Sequence, residues 1–531
     1  MRDQPNQEAI GFRAQFLRRL RSGGRDESGA AAVFFSVFLI LLAPLSLGLF
    51  DVYLASTQRT NLQDALDAAT LFAARSTAKT SAQADAVGDA ALTANLVLPT
   101  GSTVVASNFT LVGEKVVGYA EVSPPALAPG LWPHPNVKAN SEVVRSLDRL
   151  EIALVLDNTG SMEGTKLTTL KSAANSLVDK LVVAAARSAD PTPLKIALVP
   201  FSMTVRVQGT TSLTAYNTTT KSGVGIPTWL DQEAKEAVID GVDNFNVQSD
   251  RFALMKKMGV SWEGCVESRP PPYDVQETAP TTGTVPTMFV PFFWPDEPDE
   301  SAGFDNFTND YLNDGGKKKD SWLVRQKNAA KYTKAPKSGQ WDDGYTYGPN
   351  MGCSLQPMVR LTTNTASIKT AVNNMVAVGA TNIPMGMMWG WHSLSPNTPL
   401  ADGSAYGTTR LRKIIILMTD GENTMGDPGS DNESYYSGLG YIWQGLLGIT
   451  SGTSSQRTTK MDERLTTLCT NIKGKDITIY TVRVEVTSGS STVLKNCAST
   501  ADKFYDVQDV SQLNDAFDAI AASIDNLRLA K

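Results

Sequence analysis

Histidine is almost missing from this chain of 531 residues, with His134 and His392 as its only two. That leaves little for zinc coordination or for histidine-based acid/base catalysis. Cysteine is scarce too: four residues are too few for a disulfide scaffold, though enough for two bridges in an oxidising compartment. No basic stripe is present and the net charge is -6, so nothing attracts nucleic acid in general. A nucleophile elbow is lacking, because Gly164 stands three residues after Ser161 rather than two. No phosphate loop occurs either. These absences argue for a binding protein and against an enzyme. What remains is an ordinary globular balance, 19% charged and 42% hydrophobic, in a chain long enough for two or three folding units.

From Gly29 to Phe50 no residue is charged, and Ala30–Leu49 is nearly all apolar. At ~1.5 Å per residue this length covers a hydrocarbon core of ~30 Å. The run exceeds the ~7–15 apolar residues of a signal peptide, and no small-x-small cleavage site follows it. Arg13, Arg18, Arg19, Arg21 and Arg25 crowd the N-terminal flank. Cation excess marks the cytoplasmic side, so the expected layout is a cytoplasmic tail over 1–28, a single span over 29–53 and an exported remainder.

Beyond the span, Leu62, Leu66, Ala69 and Ala73 recur at helical spacing, flanked by Ala65 and Phe72. This helix is either a stalk or partner-packing face, or the cover of a small sheet. Short β-type runs follow at Thr103–Val105, Phe109–Val112, Lys115–Val122 and Val137–Val144, interrupted by Pro124, Pro125, Pro129, Pro133 and Pro135. Residues 54–148 therefore read as a small α+β unit beside the membrane. At Leu150 the register changes to alternating strand and helix, which predicts an α/β domain over 149–531: a parallel sheet covered on both faces. Its strands are expected at Leu150–Leu156, Leu194–Phe201, Lys413–Met418 and Ile477–Val486. Helices are expected at Leu167–Val183, Ile368–Val378, Ile383–Leu394, Gln456–Ile472, Thr492–Cys497 and Ser511–Leu527. Between about 203 and 360 the rhythm stops. Five of the nine tryptophans (Trp229, Trp262, Trp294, Trp322, Trp341) lie there, with Pro270–Pro272 and a polar run at Lys317–Asp320. Aromatic content this high predicts a folded, loop-rich insertion.

The first strand of this domain ends in Asp157-Asn158-Thr159-Gly160-Ser161. One carboxylate and two hydroxyls thus alternate where a buried strand breaks, at the sheet edge where open α/β folds bind ligands. A second buried strand ends in Thr419-Asp420-Gly421, and Gly379-Ala380-Thr381-Asn382 presents another hydroxyl before a helix. Each piece alone suits a helix cap. Together they offer the oxygens that a small hard cation such as Mg²⁺ requires. On these residues, 150–527 resembles a von Willebrand factor A-type domain. Asp157, Thr159 and Ser161 match the Asp-x-Ser-x-Ser motif of its metal-ion-dependent adhesion site, with Thr for the middle Ser. Thr381 matches its loop threonine and Asp420 its second aspartate. The resemblance implies a Rossmann-like fold and a bound Mg²⁺ (Mn²⁺ or Ca²⁺ being alternatives). It also implies an open coordination position for a carboxylate offered by a protein ligand.

The Arg-rich start, Gly29-Ala-Ala-Ala-Val, the span and the helix Asn61–Ala74 resemble the TadG-like proteins of tight-adherence (Flp/Tad) pilus assembly. That implies a bacterial inner-membrane anchor, an adhesive role in a surface pilus and partners among pilus-assembly proteins. The alternative is an envelope-docking A-domain scaffold with no pilus role. Gly29 is followed five residues on by Phe34 rather than Glu, so pilin prepeptide cleavage is not expected.

Three cysteine pairings are possible. Cys265–Cys353 with Cys469–Cys497 keeps each bridge within one region and is the expected pair, against free buried thiols. The loop Glu422–Gln444 carries Tyr435, Tyr436, Tyr441 and Trp443. These aromatics suit either a partner surface or packing on the insertion. The stretch Asp296-Glu297-Pro298-Asp299-Glu300 lacks the spacing of a calcium loop and reads as a solvated acidic turn.

Overall fold

The computed structural model describes residues 27–529, apart from 114, 126–133, 146–147, 189, 300–307, 314–319, 343–344 and 486–490. The arginine-rich flank, Pro129, Pro133, Glu300, Lys317–Lys319 and Val486 lie outside the described residues. Two compact units are present, Met1–Ser146 and Leu147–Lys531.

In the first unit a single helix, α1 (Glu27–Arg75), runs without a break through Pro44. Its segment from Ala31 is long and apolar enough to cross a membrane, and Val33, Phe34, Leu41 and Leu45 point outward, each more than 60% exposed. Its C-terminal half changes character. Leu62, Leu66, Ala69 and Ala73 are fully buried against α2 (Ser81–Asn95) and an antiparallel sheet of β1 (Thr103–Val112), β2 (Lys115–Ser123) and β3 (Val137–Val144). Of the two readings of this helix, cover for a small sheet is the one observed. Phe72 departs from the expected stripe and stays 61% exposed. The close fit depends on missing side chains: a Cβ on Gly118 would stand 2.3 Å from the Thr70 hydroxyl, and one on Gly88 2.3 Å from the Phe109 ring.

The second unit is built on a six-stranded mixed sheet. Its strands are β4 (Arg149–Asp157), β5 (Leu194–Phe201), β6 (Val359–Thr362), β7 (Leu411–Thr419), β8 (Ile477–Val484) and β9 (Phe504–Val507), in the spatial order β6-β5-β4-β7-β8-β9. Only β6 runs antiparallel. The continuous apolar strands follow from burial on both faces. Ile152, Leu154, Leu156, Ile414, Ile416 and Met418 face a core with α3 (Thr165–Ala185), α4 (Thr365–Asn374) and α8 (Leu513–Leu529). Ala153, Val155, Ile415 and Leu417 face the other core, with α5 (Ile383–Leu394), α6 (Ser454–Lys473), α7 (Ser491–Cys497) and much of the long β5–β6 connection.

Among its described residues that connection, 202–358, holds only short elements, packed around buried aromatics with Trp262 in one core and Trp294 in another. Both expected disulfides are formed: Cys265–Cys353 within it, and Cys469–Cys497 joining α6 to α7. In the acidic stretch Asp296 and Glu297 are buried rather than solvated. Asp296 accepts the backbone N–H groups of Tyr311 and Leu312 (both 2.6 Å) and faces Lys331 Nζ at 2.7 Å. Glu297 accepts from Thr308 N (2.6 Å), Asn309 N (2.8 Å) and the Tyr441 hydroxyl (2.7 Å). Orphan backbone donors draw these carboxylates inward and compensate their burial.

Candidate metal centre

Strand register sets the geometry. Parallel pairing aligns Leu156 with Met418, so one residue further on Asp157 and Thr419 stand level at the carboxyl edge of the sheet. Both chains turn there, β4 into a short 3-10 turn at Gly160–Met162 and β7 into Asp420-Gly421. The third contributor is fixed by backbone bonds: Val378 N donates to Asn158 O (2.8 Å) and Gly160 N to Gly379 O (2.9 Å). Helix α4 ends at Asn374 rather than continuing to Val378, which frees this segment to pair with the Asp157 loop. Gly379 has φ +83°, a left-handed conformation that suits glycine at the turn. Thr381 is then held in both directions by Thr424, its N–H donating to the Thr424 hydroxyl (2.9 Å) and its carbonyl accepting from Thr424 N (2.8 Å). Asn382 caps α5 through Met385 N.

The predicted oxygens converge. Asp157 Oδ1 accepts from Thr159 N (2.8 Å) and the Thr159 hydroxyl (2.5 Å), and that hydroxyl lies 3.0 Å from Ser161 Oγ. Ser161 Oγ in turn donates to Asp420 Oδ1 at 2.7 Å. The hydroxyls of Thr381 and Ser161 both lie beside Gly421, 3.6 and 3.9 Å from where its Cβ would be. Asp157, Thr159, Thr381 and Asp420 are buried, whereas Ser161 is exposed, so the cluster opens to solvent on the Ser161 side. Burial, and then the charge of Asp420, push the Asp157 carboxyl up to about 6, against the hydrogen bonds from Thr159 and Thr419.

Two converging carboxylates and three hydroxyls, all oxygen, fit a hard divalent cation, whose charge would relieve the repulsion between Asp157 and Asp420. Among the described residues no group of three His, Cys, Asp or Glu side chains offers a different centre.

No family model and no curated protein matches this chain. Solved structures do. The vWF domain of the type V pili tip protein Mfa5 from Porphyromonas gingivalis is 11% identical, over 72% of this chain and 97% of that one, at a TM-score of 0.32. The PilB minor pilin from Streptococcus sanguinis is 10% identical, over 80% of this chain and 79% of that one, at 0.32. Proximal thread matrix protein 1 from the mussel byssus, with a zinc-occupied MIDAS motif, is 10% identical at 0.27, over 71% of this chain and 46% of that one. Likeness at this level carries no inference about what this chain binds.

Two residues of the centre escaped the sequence reading. The Thr419 hydroxyl donates to Asp157 Oδ2 at 2.6 Å, occupying the oxygen that Thr159 leaves. Lys166, in the first turn of α3, places Nζ 2.7 Å from Asp420 Oδ2 and 3.8 Å from Glu485 Oε2. Adjacency to Asp420 at a strand end was a signal for Thr419. A lysine in the first turn of an amphipathic helix gives none.

The aromatic loop is not a ready partner surface. Tyr436 and Tyr441 are fully buried and Tyr435 and Trp443 half-buried, packed with Trp294, Phe292 and the Cys265–Cys353 bridge. Tyr436 hydrogen-bonds Glu267 and Tyr441 hydrogen-bonds Glu297. The buried carboxylates of the β5–β6 connection need these phenols as donors, which turns the rings inward.

Proposed function

We propose that this chain is a membrane-anchored binding protein whose second unit is a von Willebrand factor A-type, Rossmann-like domain carrying a large insertion and docking a partner through a divalent cation. The observation behind it is the hydrogen-bonded chain Asp157–Thr159–Ser161–Asp420, with Thr381 beside it, at the open carboxyl edge of the sheet. These five residues would hold Mg²⁺. The bound ion would supply a Lewis-acidic position for a carboxylate of a protein ligand. Thr419 orients Asp157, and the exposed side at Ser161 leaves room for the partner. The function proposed is binding, with these carboxylate and hydroxyl oxygens serving as metal ligands.

The pilus reading rests on the N-terminal half: a long apolar helix whose C-terminal part covers a small sheet, resembling the start of the TadG-like proteins of tight-adherence pilus assembly. In that setting α1 anchors the chain in a bacterial inner membrane, and the disulfide-bonded unit lies on the exported, oxidising side.

The test is thermal unfolding of the full chain in detergent micelles, with and without Mg²⁺ or Mn²⁺. Metal is expected to raise the melting temperature of the parent chain, and Asp157→Ala or Asp420→Ala to abolish that rise. An equal response to metal in both variants overturns the metal reading. Pilus subunits that co-purify only when Mg²⁺ is present would place the protein in the pilus system.

A further inference from the structure

Asp420 divides its two oxygens. Oδ1 accepts the Ser161 hydroxyl at 2.7 Å, inside the cluster of hydroxyls, whereas Oδ2 accepts from Lys166 Nζ, also at 2.7 Å. The Asp420 side chain has no exposed surface and that of Lys166 keeps 25% of its own, so this pair is screened less than a surface ion pair. A second carboxylate faces the same ammonium. Glu485, just past the end of β8, is fixed by Val510, whose N–H donates to Glu485 Oε1 (3.1 Å), and its Oε2 lies 3.8 Å from Lys166 Nζ. Lys166 thus stands between two carboxylates, one belonging to the metal centre and one outside it.

Helix α3 itself gives no reason for a lysine at this place. Its N-cap is Gly164, which makes no side-chain cap, and its first turn has no acidic residue. A cation there adds to the positive end of the helix dipole and is locally unfavourable. What stabilises Lys166 is the pair of carboxylates. In the metal-free centre its ammonium supplies positive charge beside the converging Asp157 and Asp420. A divalent cation supplies charge of the same sign, so ion and ammonium compete for one carboxylate. We infer that Lys166 is the resident cation of the metal-free centre, and that metal binding hands it from Asp420 to Glu485. This rests on the metal reading of the five oxygens and adds its regulation: a charge built into the chain holds metal affinity down, and Glu485 limits by how much.

The experiment is calorimetric titration of the full chain in detergent micelles with Mg²⁺, after EDTA treatment and dialysis, together with melting of each metal-free chain. Lys166→Met is expected to tighten Mg²⁺ binding by about fivefold or more. It should at the same time lower the metal-free melting temperature, because Asp420 loses its counter-ion. A lysine that served only the packing of α3 would lower the melting temperature without tightening the metal. Lys166→Gln keeps a hydrogen-bond donor and loses the charge, and should tighten Mg²⁺ in the same direction. Glu485→Gln removes the second place for the ammonium, and is expected to weaken Mg²⁺ several-fold alone but clearly less when combined with Lys166→Met. If the parent chain binds no Mg²⁺, the metal reading fails and this inference with it. If the parent binds Mg²⁺ but both Lys166 variants bind it equally or more weakly, the competition is overturned while the metal reading stands. Equal losses from Glu485→Gln with and without Lys166→Met overturn the hand-over.

Discussion

At the scale of single residues, the centre is governed by the charge on Asp157. Its folded carboxyl titrates near 6, above the ordinary value of 3.8, so the folded state holds a proton more tightly than the unfolded chain does. The associated stability is present below about pH 4 and is lost as the pH rises through 6, amounting to about 3 kcal/mol for a rise of about two units. A metal would compete with that proton. The Mg²⁺-induced rise in melting temperature is therefore expected to be small at pH 5 and to grow to a plateau above pH 7, and a response flat across this range would contradict the assignment. Thr419→Val keeps the shape but removes the 2.6 Å donor to Asp157. Losing such a bond to a charged group costs about 1–3 kcal/mol, so half-saturation by Mg²⁺, read from melting curves, should move up by about tenfold or more. The motif residues Asp157, Thr159 and Ser161 were legible because they are contiguous and sit where a buried strand stops. Lys166 was not, because its partner Asp420 comes from another strand and only the fold brings the two together.

At the scale of elements, legibility followed length and contrast. β4, β5 and α5 were read nearly to the residue, since long apolar runs with capped ends leave little choice. β6 and β9 escaped, being four residues each and too short for a period to register. Helix α2 escaped because its buried face is made of Ala84, Gly88, Ala91 and Leu92, which barely differ in hydropathy from their neighbours. The aromatic loop was read as two possibilities because burial of a tyrosine depends on which carboxylates the fold places beneath it. Helix α5 deserves a separate prediction. It lies flush on the sheet because Gly386 and Gly390 are one turn apart: a Cβ would stand 2.6 Å from the Phe201 ring at the first and 2.5 Å from Val155 Cγ2 at the second. Gly390→Ala should destabilise the chain by about 1–3 kcal/mol through overpacking, despite the better helix propensity of alanine. Chemical denaturation monitored by helix signal measures this, and a neutral or stabilising result would show that the helix can lift without penalty.

At the scale of the whole molecule, two features divide the chain's chemistry. In the proposed anchoring role the exposed apolar stretch of α1 would lie in a bilayer, and the full chain should then stay in the membrane pellet through an alkaline carbonate wash. Its release into the supernatant would remove the span. In the second unit the Cys265–Cys353 bridge closes a sequence separation of 88 residues. On chain-entropy grounds a loop of that size is worth about 4–5 kcal/mol. Reduction is expected to lower the melting temperature seen by tryptophan fluorescence, because Trp294 packs in the same core as both cysteines. The same bridge also decides the fate of a damaged copy. A protease that cuts once anywhere between Cys265 and Cys353 severs the backbone but not the molecule: without reductant the product migrates on a denaturing gel as one species, and with reductant as two. Such a nick sheds nothing: the N-terminal helix with Asp157, Thr159 and Ser161 stays covalently joined to the piece that carries Thr381 and Asp420.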